Sequence, residues 1–538
     1  VTGGYEARIL TLLQTHGELH SGQIASQLGI TRHTATKYLE ILKAKEEIEF
    51  REVGNAKLWR VADHSNESLS RFSALTNQTD HKNEPCLTRR DPFHEIHLPL
   101  NDSEALVEAN QCLDCGGPYA QAPCMVACPT HIDVPAFIRE IREGRPLKSA
   151  RTIFAANILG GSCARVCPVE ELCEGACVLN KEGRRAIRIG RLQRYATDWA
   201  LERDLSVAPG SHSKPRVGSV GVLGAGPASL SCAAELAQQG YQVHIYEKRS
   251  LPGGLVTHAI APYKQQLDPL PREQAAIEAM GVEFHFGVSM GTDLTLEELE
   301  KRHNAIFLGL GMGNDLPLEI PANGMSGIYG SLEFIEELKL GDKRWLLREM
   351  RKRVTVIGGG NTAIDVARNA VRLGAEEVNV LYRRTRKEMP AYLHEYEAAV
   401  REGVRFQWLT APLEFKGSGK ITGLSCIYMR LTQTDDGRKS QLEPIPGTEF
   451  VLDTDMVIFA IGQQKHLSIF EKIKDLKLER GLVVVDTWGQ TTARRYFAGG
   501  DCINGGNTVV QAVADGKRAA CGIDRFLQGS HDQHAPSN

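Results

Sequence analysis

The sequence predicts a multidomain chain: a small α+β winged helix, then a helical cysteine-rich domain, then two α/β Rossmann-like domains. Three observations carry this. The chain has 538 residues, too many for one hydrophobic core when domains run to ~150 residues. Eight of its thirteen cysteines crowd between Cys112 and Cys177. Two segments, Val217 to Lys248 and Arg353 to Arg384, each read as apolar strand, glycine turn, helix and second strand. The expected divisions are 1–62, a linker at 63–101, 102–210, 211–340 joined by 448–530, and 341–447.

Composition narrows the classes. A formal net charge of -3 and a pI near 6.7 give no whole-chain attraction to nucleic acid or anionic lipid. No apolar run approaches the ~20 residues of a membrane span, and a secretory signal is not apparent. A cytoplasmic protein with no membrane association is therefore expected, and clustered cysteines in a reducing compartment suggest metal ligation over disulfides.

Residues 1–62 alternate helical periodicity with short breaks. Ser21 can cap a first short helix, Gly29 supplies a turn, and Thr31 can cap a second helix whose Leu39 and Leu42 face inward. A hairpin from Phe50 to Val61, turning at Gly54-Asn55, would be the wing. On DNA, Arg32, His33, Thr34 and Lys37 would enter the major groove while Lys57 and Arg60 meet phosphate. Glu40, Glu46, Glu47, Glu49 and Glu52 offset these bases, so a dimerisation or docking module on the same fold is an equal reading. Residues 63–101 are polar and irregular, and Cys86 stands alone there.

The segment CLDCGGPYAQAPCMVACP holds Cys112, Cys115, Cys124 and Cys128, and CARVCPVEELCEGAC holds Cys163, Cys167, Cys173 and Cys177. Four ligands hold one cubane, so the pair of segments can supply two [4Fe-4S] clusters and make this a helical iron-sulfur domain. Pro129 and Pro168, each directly after a cysteine, stiffen the turns. Two structural zinc sites are the rival, disfavoured by the wider gaps from Cys167 to Cys173 and from Cys173 to Cys177.

In the first fingerprint Gly224 and Gly226 form the tight turn, Gly226 lets a pyrophosphate approach the helix N-terminus, and Glu247 can accept from ribose hydroxyls. The second repeats the pattern at Gly358 and Gly360 but ends in Arg383 and Arg384. Two guanidiniums there favour a 2'-phosphate, hence NADPH over NADH, with Arg386 and Lys387 adding positive field. Both domains are thus nucleotide-binding. Further on, YFAGGDCINGGNTVVQAVADG places Asp501 where a carboxylate can bind ribityl hydroxyls. It also sets a helix near Thr508 whose positive end can face a flavin pyrimidine.

GRLQRYATDW, GAGPASLSCA, GGGNTAIDVARNAVRLGA and FAGGD occur in this order between about residues 100 and 527. On these motifs the chain resembles the NADPH-dependent electron-input module shared by the glutamate synthase small subunit and the N-terminal half of dihydropyrimidine dehydrogenase. The resemblance implies one cluster on Cys112, Cys115, Cys124 and Cys177. It implies a second on Cys128, Cys167 and Cys173 with Gln193 as an unusual fourth ligand, leaving Cys163 a non-ligand neighbour. It implies FAD on Gly224, Ala225, Gly226, Pro227, Ala228, Ser229, Glu247, Gly254, Leu255, Lys264, Gly500, Asp501, Asn507, Thr508 and Val509. NADPH would lie on Gly359, Gly360, Asn361, Thr362, Arg383, Arg384, Ala460 and Gly462. Where the family often has arginine, IAPYK offers Lys264, a point charge in place of a planar fork.

Hydride transfer from NAD(P)H to FAD requires no protein acid or base, so no catalytic side chain is expected. Cys232, Cys426, Cys502 and Cys521 are scattered singly, without a redox dithiol, and no substrate-reducing barrel follows. Electrons are therefore expected to leave singly through the clusters to a partner subunit or a ferredoxin-like carrier, in an oligomer. A redox-sensing DNA-binding regulator using the same cofactors is the alternative, with possible DNA contact through 1–62. A third is a structural partner whose clusters only hold subunits together.

Overall fold

The structure, a computed structural model, describes residues 5–16, 19–44, 48–53, 56–61, 93–117, 120–207, 215–341, 353–433 and 440–529. The described residues fall into two compact units. One comprises those up to residue 61 together with 179–185, and the other comprises the rest.

In the first unit, helices Tyr5–His16, Ser21–Leu28 and Arg32–Ala44 accompany a three-stranded antiparallel sheet. Ala56–Val61 is central in it, between Leu19–His20 and Ile48–Val53. Ile9, Leu13, Ile24, Leu39, Leu42 and Trp59 are buried together, and the alternation of Leu and Ile at helical spacing is what puts them on one side. Thr31 Oγ1 accepts from Thr34 N at 3.1 Å, and Gly29 sits at φ +66°. The cap of Ser21–Leu28 is His20, not Ser21. Its Nδ1 accepts from Gly22 N and Gln23 N while Gln23 Oε1 accepts from His20 N, because an imidazole one residue upstream reaches the same free donors. Gly54, Asn55, Cys86 and the side chains of His33, Lys37, Glu40, Glu46, Glu47, Glu49 and Glu52 lie outside the described residues.

The second unit begins with helices Asp102–Ala109, Val134–Arg142, Pro146–Ala156, Gly160–Val166 and Ile189–Leu201, packed around Phe137, Ile138, Ile153 and Leu192. Two five-stranded parallel sheets follow. The first runs Tyr496–Ala498, Ala305–Leu308, Ser219–Leu223, Gln242–Glu247, Glu283–Phe286. The second runs Arg405–Trp408, Glu377–Tyr382, Arg353–Ile357, Met456–Phe459, Ile328–Gly330. Their inner strands Ala305–Leu308, Ser219–Leu223, Arg353–Ile357 and Met456–Phe459 are buried and mostly apolar, as strands covered on both faces require, while the edge strands Glu283–Phe286 and Arg405–Trp408 alternate polar and aromatic residues.

Two expected boundaries are corrected. The second sheet reaches past 341–447 on both sides, since Ile328–Gly330 and Met456–Phe459 hydrogen-bond into it; short strands far apart in sequence carry no local mark of the sheet they join. The expected linker 63–101 ends in packed chain. Within its described residues 93–101, Phe93 is buried with the second sheet's core, and Glu95 pairs with Arg194 at 2.6 Å and Arg165 at 3.5 Å, so this end is packed by a buried ion pair that polar composition alone does not distinguish from a solvated linker.

Candidate cofactor site

Each fingerprint sets a glycine turn between a strand and a helix. Gly224 adopts φ +85°, and a Cβ there would lie 2.7 Å from Gly309 O; Gly358 adopts φ +146°, where a Cβ would collide with Ala460 O. The protein itself requires these two glycines. Gly226 and Gly360 differ. They cap helices Pro227–Gln238 and Asn361–Arg372 at φ -76° and -86°, which any residue adopts, and neither helix has a side-chain cap. A Cβ at Gly226 would meet only Gly309 O at 3.8 Å, and one at Gly360 would meet nothing within 4 Å. Glycine at these positions leaves space beside free N–H donors, which is what a dinucleotide pyrophosphate uses. FAD and NAD(P)H therefore fit the residues present.

Glu247 is buried at the end of its strand. Its Oε2 accepts from Ala225 N at 2.8 Å and its Oε1 from Arg249 N at 2.9 Å, so the carboxylate expected at a ribose also braces the glycine turn. Gly254, at φ +52°, lies against Gly226, with its Cβ position 3.1 Å from Gly226 Cα. Opposite, Gly500 N donates to Asp515 Oδ2 at 3.1 Å and Asn507 N to Asp501 Oδ1 at 3.1 Å. Thr508 caps helix Val509–Leu527 by accepting from Gln511 N at 3.3 Å. Burial raises the Asp501 carboxyl above its ordinary range.

A cavity of about 1460 Å³ joins three parts of this unit. Gly359, Gly360, Asn361, Thr362, Arg383, Arg384, Ala460 and Gly462 line one side; Leu255, Lys264, Asp501, Asn507, Thr508 and Val509 line another; Cys167 and Pro168 line a third. The first-fingerprint residues Gly224 to Ser229, with Glu247 and Gly254, are not among its walls.

Lys264 is held by carboxylates. Its Nζ lies 2.7 Å from Asp365 Oδ1 and 2.6 Å from Glu395 Oε1, Tyr263 OH donates to Asp365 Oδ1 at 2.7 Å, and Arg368 Nη1 donates to Glu395 Oε2 at 2.7 Å. Burial opposes ionisation of Glu395, but Lys264 and Arg368 outweigh it and hold its carboxyl well below the usual range. This network couples the 261–265 turn to the second-fingerprint helix. Lys264→Met would leave buried Asp365 with the Tyr263 hydroxyl but without its lysine, and Glu395 with Arg368 but without its lysine, and is expected to lower apparent stability by about 3 kcal/mol in denaturant unfolding, with Lys264→Arg recovering part of the loss.

The thiols influence one another across both segments: burial raises Cys173, with Glu174, Cys128 and Cys124 adding to it. Burial raises the Cys112 thiol, with Cys115 and Cys177 adding to it, and burial followed by Cys112 pushes Cys124 up to about 12. A hydrogen bond with Cys163, then burial, raises Cys167, with Cys173 and Cys128 also facing it. Cys112, Cys124, Cys167 and Cys173 thus resist ionisation as free thiols, and a bound cationic cluster would stabilise them as thiolates. Gln193 is buried on helix Ile189–Leu201 and donates from Nε2 to Gly160 O at 2.7 Å, so Oε1 is the atom it could offer to a metal. Sequence reasoning missed Glu273. Its Oε1 accepts from Gly161 N and Ser162 N at 2.8 and 3.0 Å, and its Oε2 from Ser162 Oγ at 2.5 Å. It thus ties the helix carrying Cys163 to the first-sheet region, with no motif to announce it.

Residues 89–205 match the family profile described as dihydropyrimidine dehydrogenase domain II, 4Fe-4S cluster. Residues 218–516 match that of the pyridine nucleotide-disulphide oxidoreductases. Fold and site together define an NAD(P)H-dependent FAD and iron-sulfur oxidoreductase, an electron-transfer module. The chain is 34% identical over 455 residues to the glutamate synthase [NADPH] small chain of Azospirillum brasilense, covering 82% of this chain and 93% of that one. It is 32% identical over 466 residues to the same-named chain of Escherichia coli, covering 84% and 97%. The chain belongs to the glutamate synthase small-chain family. The beta subunit of the NADPH-Fe(3+) oxidoreductase of Geobacter sulfurreducens is 38% identical over 439 residues, covering 76% of this chain and 64% of that one. Among solved structures, Mycobacterium tuberculosis FprA in complex with NADPH shares the fold, with a TM-score of 0.50 and 17% identity over 60% of this chain and 88% of that one. Among the described residues, no helix is long and apolar enough to cross a membrane.

Proposed function

We propose that the chain takes electrons from NADPH and delivers them through FAD and two [4Fe-4S] clusters to a separate protein subunit. One cavity onto which the second fingerprint, the Asp501–Thr508 segment and Cys167 all open carries this reading. When bound, FAD supplies hydride acceptance and one-electron release, and the cubanes supply a one-electron relay. Gly226 and Gly360 leave room for pyrophosphates, Thr508 sets a helix N-terminus toward the flavin side, and Arg383 and Arg384 favour a 2'-phosphate. Cys112, Cys115, Cys124 and Cys177 form one ligand set; Cys128, Cys167, Cys173 and Gln193 form the other.

Two further observations support it. No three cysteine thiols among the described residues lie within 4.8 Å of one another, whereas a tetrahedral zinc with Zn–S of ~2.3 Å would hold its sulfurs ~3.8 Å apart. Leu113 and Val126, beside Cys112 and Cys124, are 52% and 55% exposed, an apolar surface suited to an electron-accepting protein. The relatives named as a small chain and a subunit point the same way. In the first unit, three helices followed by a hairpin support a winged helix, and exposed Arg32, Lys57 and Arg60 keep DNA binding as a second reading.

Anaerobic addition of NADPH is expected to bleach the flavin and then produce the EPR signals of reduced clusters; an unbleached flavin refutes the proposal. Arg383→Ala with Arg384→Ala is expected to raise the KM for NADPH ~10–100-fold while leaving that for NADH nearly unchanged, the loss of one or two charge-assisted hydrogen bonds.

A further inference from the structure

Outside the cofactor region, the edge of the first sheet gathers His244, Glu283 and His285. His244 stands on Gln242–Glu247 and the other two on the neighbouring edge strand Glu283–Phe286. The parallel register sets His244 opposite Glu283 and Tyr246 opposite His285, so residues two apart on each strand share one face.

Three atoms converge there. His244 Nδ1 lies 3.3 Å from His285 Nε2 and 3.3 Å from Glu283 Oε2, and the latter two atoms are 4.0 Å apart. The nearest point equidistant from these three atoms lies in their plane about 2.1 Å from each, within the ~2.0–2.2 Å of zinc–imidazole and zinc–carboxylate bonds. A hydrogen-bonded cluster explains the arrangement less well. His244 Nδ1 faces a nitrogen and a carboxylate oxygen at the same distance, and one N–H cannot point along both directions.

The rings are held by their neighbours. Tyr246 stacks on His285 with centroids 4.8 Å apart. His303 fills the inner side with both nitrogens engaged, Nδ1 with Ser219 Oγ at 2.7 Å and Nε2 with Tyr246 OH at 2.9 Å. It therefore supports the site without being a ligand. The Glu283 side chain is 65% exposed, so the outer side is open to solvent.

We propose that His244 Nδ1, His285 Nε2 and Glu283 Oε2 form a binding site for a borderline divalent cation of the Zn²⁺ class, with its remaining coordination position open to water. Two imidazoles and one carboxylate suit zinc far better than calcium or magnesium, which take oxygen donors. The cation would clamp the edge strand to the strand whose last residue, Glu247, braces the first glycine turn. This site is independent of the cofactor reading.

The test is calorimetric titration of Zn²⁺ into the full-length protein with its flavin and clusters in place, so that the cysteines are occupied. The wild type is expected to bind one equivalent and to gain thermal stability. His285→Gln and His244→Gln are expected to weaken that equivalent by at least ~100-fold, beyond the ~10–100-fold typical of outer-shell changes. Glu283→Gln, at an exposed position where folding is not in question, keeps an oxygen donor but loses its charge and is expected to weaken it ~10-fold or more. Absence of Zn²⁺ binding by the wild type, or binding by all three variants as strong as the wild type's, overturns the proposal.

Discussion

Cys124→Ser is expected to yield a protein that still oxidises NADPH on its flavin but has lost one of two clusters, about four irons per chain. In the proposed assignment Cys124 shares a set with Cys112, Cys115 and Cys177, none of which is among the cavity walls, whereas Cys167 of the other set is. Loss of the first set should therefore leave flavin bleaching and one reduced-cluster EPR signal intact, while electron delivery to a protein acceptor collapses. Cys163→Ser is the informative contrast. Cys163 is buried and hydrogen-bonded to Cys167, and by spacing alone it is indistinguishable from a ligand. If Gln193 completes the second set, Cys163→Ser keeps both clusters and Gln193→Ala loses or destabilises one. Iron and sulfide content decide the matter: loss of four irons from Cys163→Ser would reverse the assignment.

Gly360→Ala is expected to fold normally and yet lose NADPH. The position has an ordinary φ of -86° and no atom within 4 Å of the added carbon, so the structural cost should stay within about 1 kcal/mol, the scale of an N-cap change. A methyl group there occupies the space a pyrophosphate needs. Removing one or two charge-assisted hydrogen bonds costs about 2–3 kcal/mol, or ~30–150-fold in affinity. Gly358→Ala should behave in the opposite way, because its φ of +146° and its collision with Ala460 O strain the fold whether or not nucleotide is present. Flavin content, read from absorbance, should survive Gly360→Ala. Unchanged NADPH binding by a well-folded Gly360→Ala would show that the dinucleotide lies elsewhere.

Legibility in the sequence follows the range of the interaction. Glycine turns, the strand–helix–strand order around them, the paired arginines and the cysteine spacings are written within a few residues of each other, because each depends on the local path of the backbone. The helix N-terminus at Thr508 was legible for the same reason. What was misread is instructive. The His20 cap failed only by one residue, but the membership of Ile328–Gly330 and Met456–Phe459 in the second sheet could not be assigned from strands of three and four residues.

By itself the sequence determined the chemistry this chain is built for: two nucleotide turns, a basic strand end for phosphate, and sulfur donors for iron. Only the tertiary structure decided which groups meet. It committed Lys264 to Asp365 and Glu395, brought Glu273 to Ser162 across 111 residues, packed Phe93 into the second core, and set His244 beside Glu283 and His285. The reason is physical. A buried charge or a ligand atom is defined by partners that packing delivers from distant segments, and such pairings leave no periodicity or spacing in the chain to be read.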